Sequence, residues 1–180
     1  MEWNNSVDGL YIYIRPGYMF TKKFALFDLD WTLVKPRFSK FPTSTEDNVI
    51  MENRIKKLKE LKELVDSGYN IVIFTNQKVT PRESIDFKLL RMNDVIIKFF
   101  EQGIIVTVFM ATKDNDFRKP KTGMWDLLYI IFKDVGLIID KDDTFYCGDA
   151  AGRPGDFSDS DIKFAENVGI KFILPEDLFK

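Results

Sequence analysis

Lys23-Phe24-Ala25-Leu26-Phe27-Asp28-Leu29-Asp30-Trp31-Thr32-Leu33 is the stretch on which the fold turns. Its first half reads as a buried strand, and Asp28 and Asp30 stand one residue apart where that strand ends. A surface turn favours the same residue types as Asp-x-Asp-x-Thr, so the pair is informative only with its surroundings. The same pattern recurs further along. Asn70-Ile71-Val72-Ile73-Phe74 is a continuous apolar run of the kind seen in strands covered on both faces, and it ends in Thr75-Asn76-Gln77. Thr144-Phe145-Tyr146-Cys147 runs into Gly148-Asp149.

Between and around these runs the periodicity predicts an outer strand at Leu10–Ile14, a proline-containing loop over Val34–Thr45, and a helix over Glu46–Asp66. Ile50, Ile55, Leu58, Leu61, Leu64 and Val65 form that helix's apolar stripe. A second helix is expected over Pro81–Gln102, a strand over Ile104–Met110, a helix over Thr122–Val135, a short helix over Ser160–Val168 and a last strand over Lys171–Leu174. Alternating strands and helices imply right-handed crossovers and a doubly wound, parallel α/β sheet, read here as a single domain over residues 1–180. In such sheets ligands bind beyond the carboxyl ends of the strands, so the three polar clusters should converge on one edge.

Composition narrows the chemistry. The chain has 180 residues, 45% hydrophobic, with 17 Phe, one Cys and no His. Without histidine there is no Ser-His or Cys-His catalysis and no His-ligated zinc; acid, base and metal work falls to carboxylates, lysines and hydroxyls. Cys147 reads as a small buried hydrophobe. Met1-Glu2-Trp3-Asn4-Asn5 lacks the basic start of a signal peptide and no apolar run reaches membrane-spanning length, so the expectation is a soluble intracellular protein. The formal net charge of −2 provides no global attraction to nucleic acid. Acidic residues concentrate in the Glu46–Asp66 helix, while Lys35, Arg37, Lys40, Arg118, Lys119, Lys121 and Arg153 lie in loops.

A carboxylate at a strand end can attack phosphorus and split hydrolysis into formation and breakdown of an acyl phosphate; Asp28 is the candidate nucleophile. Asp30 can protonate the departing oxygen and then take a proton from water. The charge of a phosphate beside Asp28 and Asp149 calls for a hard cation, Mg²⁺ by default. Thr75, Asn76 and the amides after them, read as close to the start of the next helix, offer donors to phosphoryl oxygens, although a threonine there also serves as a helix cap. Lys119, beside Pro120, can balance Asp28 and the phosphate, although a loop lysine is ordinarily solvated. Gly148-Asp149 has an ordinary turn reading as well.

Taken in order, Asp28-x-Asp30-x-Thr32, Thr75, Lys119-Pro120 and Gly148-Asp149 resemble the motifs of the haloacid dehalogenase superfamily of phosphohydrolases. A narrower resemblance, to the phosphatase domain of polynucleotide kinase 3′-phosphatases, rests on several longer strings. They are Phe41-Pro42-Thr43, Ile73-Phe74-Thr75-Asn76-Gln77, Arg118-Lys119-Pro120, Thr122-Gly123-Met124-Trp125, Gly148-Asp149-Ala150-Ala151-Gly152-Arg153-Pro154 and Asp156-Phe157-Ser158. The resemblance implies an aspartyl phosphate on Asp28, acid/base work by Asp30, and Mg²⁺ held by Asp28, the main-chain carbonyl of Asp30 and Asp149. It also implies that Thr75 and Lys119 grip the phosphate, and that the substrate is the 3′ end of broken DNA. Family members also carry a P-loop kinase; no Gly-x-x-x-x-Gly-Lys-Ser/Thr occurs here, so a stand-alone 3′-phosphatase without 5′-kinase activity is expected.

The stretch between Thr32 and Thr75 has no insertion large enough for a cap domain, and an uncapped site can admit a polymer end. Lys35, Arg37, Lys40, Arg118, Lys121 and Arg153 flank that expected mouth and can hold a phosphodiester backbone without reading sequence. Trp125, on an apolar helical stripe, is expected in the core. Trp31 departs from the family pattern, which has glycine there, and either packs or stacks on a terminal base. Two alternatives remain open: a phosphatase of a small metabolite or phosphoprotein, and a catalytically idle module that binds DNA ends.

Overall fold

The computed structural model describes the chain except for residues 38–41, 43, 51–53 and 82. In chain order come β1 (Leu10–Tyr13), β2 (Lys23–Phe27), β3 (Val34–Lys35), β4 (Val49–Ile50), α1 (Arg54–Asp66), β5 (Tyr69–Asn76) and α2 (Ile85–Phe100). They are followed by β6 (Val106–Ala111), α3 (Gly123–Asp134), β7 (Thr144–Cys147), α4 (Ser160–Val168), β8 (Lys171–Ile173) and α5 (Pro175–Leu178). The main sheet has the order β1-β6-β5-β2-β7-β8. All its pairs are parallel except the outer β1, which runs antiparallel to β6.

Side chains alternate across a strand, so β2 serves two cores at once. Ala25 and Phe27 pack with Ile71, Ile73 and Val108 under Leu61 of α1 and Val95 and Phe99 of α2. Phe24 and Leu26 pack with Val72 and Phe74 under Leu128 and Phe132 of α3 and Phe164 of α4. Burial on both faces explains why these strands read as unbroken apolar runs rather than alternating ones. Trp125 belongs to the second core and Cys147 to the first, both buried as expected. The helix ends follow local chemistry. Ser84 caps α2 by accepting the Phe87 N–H at 3.1 Å, and α4 stops at Gly169, left-handed at φ 75°.

Three expectations need correction. Val34–Thr45 is not loop throughout, and the helix does not begin at Glu46: Val34–Lys35 and Val49–Ile50 pair as an antiparallel ribbon, and α1 starts at Arg54. Pairing with a partner strand overrides the helical period of this short β-branched segment. Ile55 is 84% exposed rather than on the stripe, because the inward face of α1 carries Lys57 and Leu61 instead. Leu174 is the residue before α5, a helical turn led by Pro175 that the sequence reading missed.

The chain leaves β2 for β5 and β6 on one side, then returns to β7 and β8 on the other. The carboxyl end of β2 is therefore the switch point where doubly wound sheets open a cleft. Among the described residues the only addition between β2 and α1 is the β3–β4 ribbon. No helix of the described residues is long and apolar enough to cross a membrane.

Candidate active site

Asp28 is the first residue past β2, and its N–H donates to the Cys147 carbonyl at 2.9 Å, which ties it to the end of β7. Its Oδ1 accepts from Lys119 Nζ at 2.6 Å. Lys119 is only 3% exposed, and its ammonium also donates to Asp161 Oδ1 at 2.8 Å and to the Tyr146 hydroxyl at 2.5 Å. Lys119 is therefore not a solvated loop lysine. The side chain of Asn76, at the end of β5, fixes its backbone: Asn76 Oδ1 accepts the Lys119 N–H at 3.0 Å and Nδ2 donates to the Lys119 carbonyl at 3.1 Å. Asn76 thus spends its amide on positioning Lys119.

Asp149 follows β7, and Thr32 brackets it: the hydroxyl donates to Asp149 Oδ1 at 3.2 Å and accepts the Asp149 N–H at 3.1 Å. Asp161, on the first turn of α4, is fully buried and accepts the Ala150 N–H at 3.1 Å. Its carboxylate explains the glycine before Asp149, because a Cβ on Gly148 would lie 2.4 Å from Asp161 Oδ2. Asp161 and Tyr146 are neighbours of Asp28 and Lys119 that sequence reasoning missed; the glycine at 148 is the one sequence hint of Asp161, and only the close approach explains it.

Carboxylate oxygens of Asp28, Asp149 and Asp161 lie within 4.8 Å of one another. Burial pushes the Asp28 carboxyl well above the usual carboxylate range; Lys119 opposes the shift, and Asp161 and Asp149 add to it. Burial, followed by the Asp161 charge, pushes Asp149 up to about 6 against its hydrogen bonds from its own backbone and from Thr32. For Lys119 burial pulls downward, but the Asp161 and Asp28 carboxylates outweigh it and hold the ammonium above its ordinary value. One buried ammonium among three carboxylates leaves net negative charge on an all-oxygen donor set, which fits a hard divalent cation.

Asp30 has a separate set of partners. Its Oδ2 accepts from Gln77 Nε2 at 2.6 Å, and Gln77 Nε2 also donates to Thr75 Oγ1 at 2.8 Å. Arg91 of α2 forms an ion pair with the Asp30 carboxylate. Thr75 is buried inside β5 and α2 begins only at Ile85, so Thr75 is not a helix cap and the amides after it are not at a helix start. The sequence reading placed Gln77 in a polar cluster without giving it a role and passed over Arg91, although a charged residue on the apolar face of α2, beside Met92 and Val95, signals a buried partner.

Trp31 takes the left-handed conformation, φ 65°, and is 39% exposed beside Asp30; the departure from glycine is real and the indole is only partly packed. The residues expected to hold a nucleic-acid backbone are placed unequally. Arg118 has a buried Nη1 without a hydrogen-bond partner. Lys121 pairs with Asp116 at 3.1 Å, and Arg153 is committed to Asp156 at 2.9 Å and to Glu176, which fastens its loop to α5. Lys35 ends β3, the Arg37 N–H donates to Asp47 at 2.7 Å, and Lys40 lies outside the described residues, as do Phe41 and Thr43.

The chain is 39% identical over 181 residues to a bifunctional polynucleotide phosphatase/kinase of Schizosaccharomyces pombe, covering 99% of this chain and 42% of that protein. It is 37% identical over 172 residues to a polynucleotide 3′-phosphatase of Arabidopsis thaliana, covering 88% of this chain and 24% of that protein. It therefore spans less than half the length of either relative. In structure it is similar to the D,D-heptose 1,7-bisphosphate phosphatase of B. bronchiseptica, solved with magnesium and phosphate. The TM-score is 0.64 at 17% identity, over 84% of this chain and 79% of that one. The model of the polynucleotide kinase 3 phosphatase family matches residues 23–179, the span that runs from β2 through all the carboxylates and Lys119 to the end of α5. A chain with this sheet, and with this match over most of its length, belongs to the polynucleotide kinase 3 phosphatase family.

Proposed function

We propose that this chain is a Mg²⁺-dependent polynucleotide 3′-phosphatase that removes the terminal phosphate from DNA 3′ ends during strand-break repair. The observation that carries it is the buried Lys119 ammonium, 2.6 Å from Asp28 and 2.8 Å from Asp161, at a strand end. Lys119 occupies Asp28 Oδ1, and Oδ2 attacks phosphorus. The bond from phosphorus to the 3′ oxygen breaks, Asp30 gives its proton to that oxygen, and an aspartyl phosphate remains. Water then attacks phosphorus and yields its proton to Asp30; inorganic phosphate leaves and the Asp28 carboxylate returns. Thr75 Oγ1 accepts from Gln77, so its own O–H serves a phosphoryl oxygen. Asp28 and Asp149, with the main-chain carbonyl of Asp30, would hold Mg²⁺, which when bound neutralises charge between carboxylate and phosphate. Among the described residues the only element between β2 and α1 is the two-residue-strand ribbon β3–β4, which suits entry of a polymer end.

The test incubates the protein with matched oligonucleotides bearing a 3′- or a 5′-phosphate, and with an aryl phosphate, with and without Mg²⁺. Release of phosphate from the 3′ end alone, lost with a chelator, is expected. Cleavage of the aryl phosphate while both oligonucleotides stay intact would overturn the substrate, and chelator-insensitive turnover would overturn the metal.

A further inference from the structure

Arg91 is among the largest fully buried side chains of the protein, at 1% exposure, yet it carries a full charge. Removing a guanidinium from water is costly unless its donors are matched. Its Nη2 donates to Asp30 Oδ1, and its Nη1 donates to Asp30 Oδ2 and Gln77 Oε1, each at 3.3 Å. Its Nε is buried and makes no hydrogen bond. Asp30 itself is 31% exposed, so the carboxylate spans the boundary between this dry cation and the cleft.

A carboxylate offers about four lone-pair sites. Arg91 takes one on each oxygen, and Gln77 Nε2 takes the second on Oδ2 at 2.6 Å. A single site is left, on Oδ1. We propose that Arg91 is a positioning residue for the reaction: its fork, with Gln77, locks the Asp30 carboxylate so that Oδ1 alone exchanges the proton with the departing oxygen and with the attacking water. The planar fork matters as well as the charge, because a lysine ammonium at the same place binds as a point and leaves the carboxylate free to rotate. This inference rests on the acid/base role of Asp30 in the proposed reaction.

The test uses leaving groups that differ in their need for a proton. kcat/KM reports the steps up to departure of the leaving group, so it is measured for a series of aryl phosphates of increasing phenol pKa and for a 3′-phosphorylated oligonucleotide. Arg91→Gln is expected to lower kcat/KM by about 100-fold for the most basic leaving groups and by less than about threefold for dinitrophenyl phosphate, whose phenolate leaves unprotonated. Its steepened dependence on phenol pKa should match that of Asp30→Asn, and adding Arg91→Gln to Asp30→Asn should cost little more. Arg91→Lys should fall between wild type and Arg91→Gln. A parallel loss across the whole series, or no loss, would overturn the positioning role. If Arg91→Gln does not fold by circular dichroism, Arg91→Lys alone is judged by the same change of slope. Wild-type protein that leaves the oligonucleotide intact but turns over the aryl series defeats the proposed substrate, while the slope comparison still decides the role of Arg91.

Discussion

Trp31 and Asp149 show what single residues contribute around Asp28. Trp31 is left-handed at φ 65°, a conformation that costs any residue with a Cβ roughly 1–2 kcal/mol. Trp31→Gly should therefore be more stable than Trp31→Ala by about 0.5–1 kcal/mol, the reverse of the usual order, as read by urea denaturation. At Asp149 the folded carboxyl is raised to about 6 from an ordinary value of 3.8, chiefly by burial. Ionising it is therefore easier in the unfolded chain: the protonated form stabilises the fold fully below about pH 4, and that contribution is lost as pH rises through about 6. Metal-free Asp149→Asn should melt higher than metal-free wild type at pH 7.5 and nearly the same at pH 4, and Mg²⁺ should stabilise only the wild type. Asp28, Asp149 and Lys119 are legible in the sequence because each follows a strand or sits in a short recurrent string. Asp161 and Arg91 are fainter, since their partners lie far away in sequence and each leaves only an indirect hint, the glycine at 148 and a charge on the apolar face of α2.

The elements around the cleft are joined by buried polar ties as well as by apolar packing. Lys57 points inward from α1, donates to the Thr32 carbonyl at 2.6 Å and places its ammonium 4.3 Å from the Phe179 ring. It thereby fastens α1 and the C-terminal residues to the loop that carries Asp30 and Thr32. Burial lowers the Lys57 pKa. Lys57→Met keeps the stem but orphans a buried carbonyl, so a loss of about 1–3 kcal/mol by urea denaturation is expected, with weaker Mg²⁺ stabilisation because Thr32 brackets Asp149. Element type is well encoded where apolar runs are long, as in β5 and α2. It is poorly encoded where Val49–Ile50 form a two-residue strand, because only the distant Val34–Lys35 reveals which period applies. The inward Lys57 is hidden for the same reason: a lysine on a helix reads as surface until its carbonyl partner is known.

At the scale of the molecule, the sheet order β1-β6-β5-β2-β7-β8 brings three chain-distant strand ends to one cleft. That convergence follows from alternation and right-handed crossover alone, which is why it is legible without any side-chain detail. The net charge of −2 leaves any attraction to a polyanion to local groups. Among the described residues the β3–β4 ribbon is the only element between β2 and α1. If Asp28 carries an aspartyl phosphate as proposed, the described residues place no element beyond this ribbon between β2 and α1 to enclose a chosen acceptor. Partitioning between acceptors should then follow their concentrations: turnover in molar glycerol should yield glycerol phosphate alongside inorganic phosphate, detectable by ³¹P NMR, with the ratio of the two products rising linearly with the ratio of glycerol to water. The protein would then behave as a phosphotransferase whose donor is selected by the cleft and whose acceptor is selected by the medium.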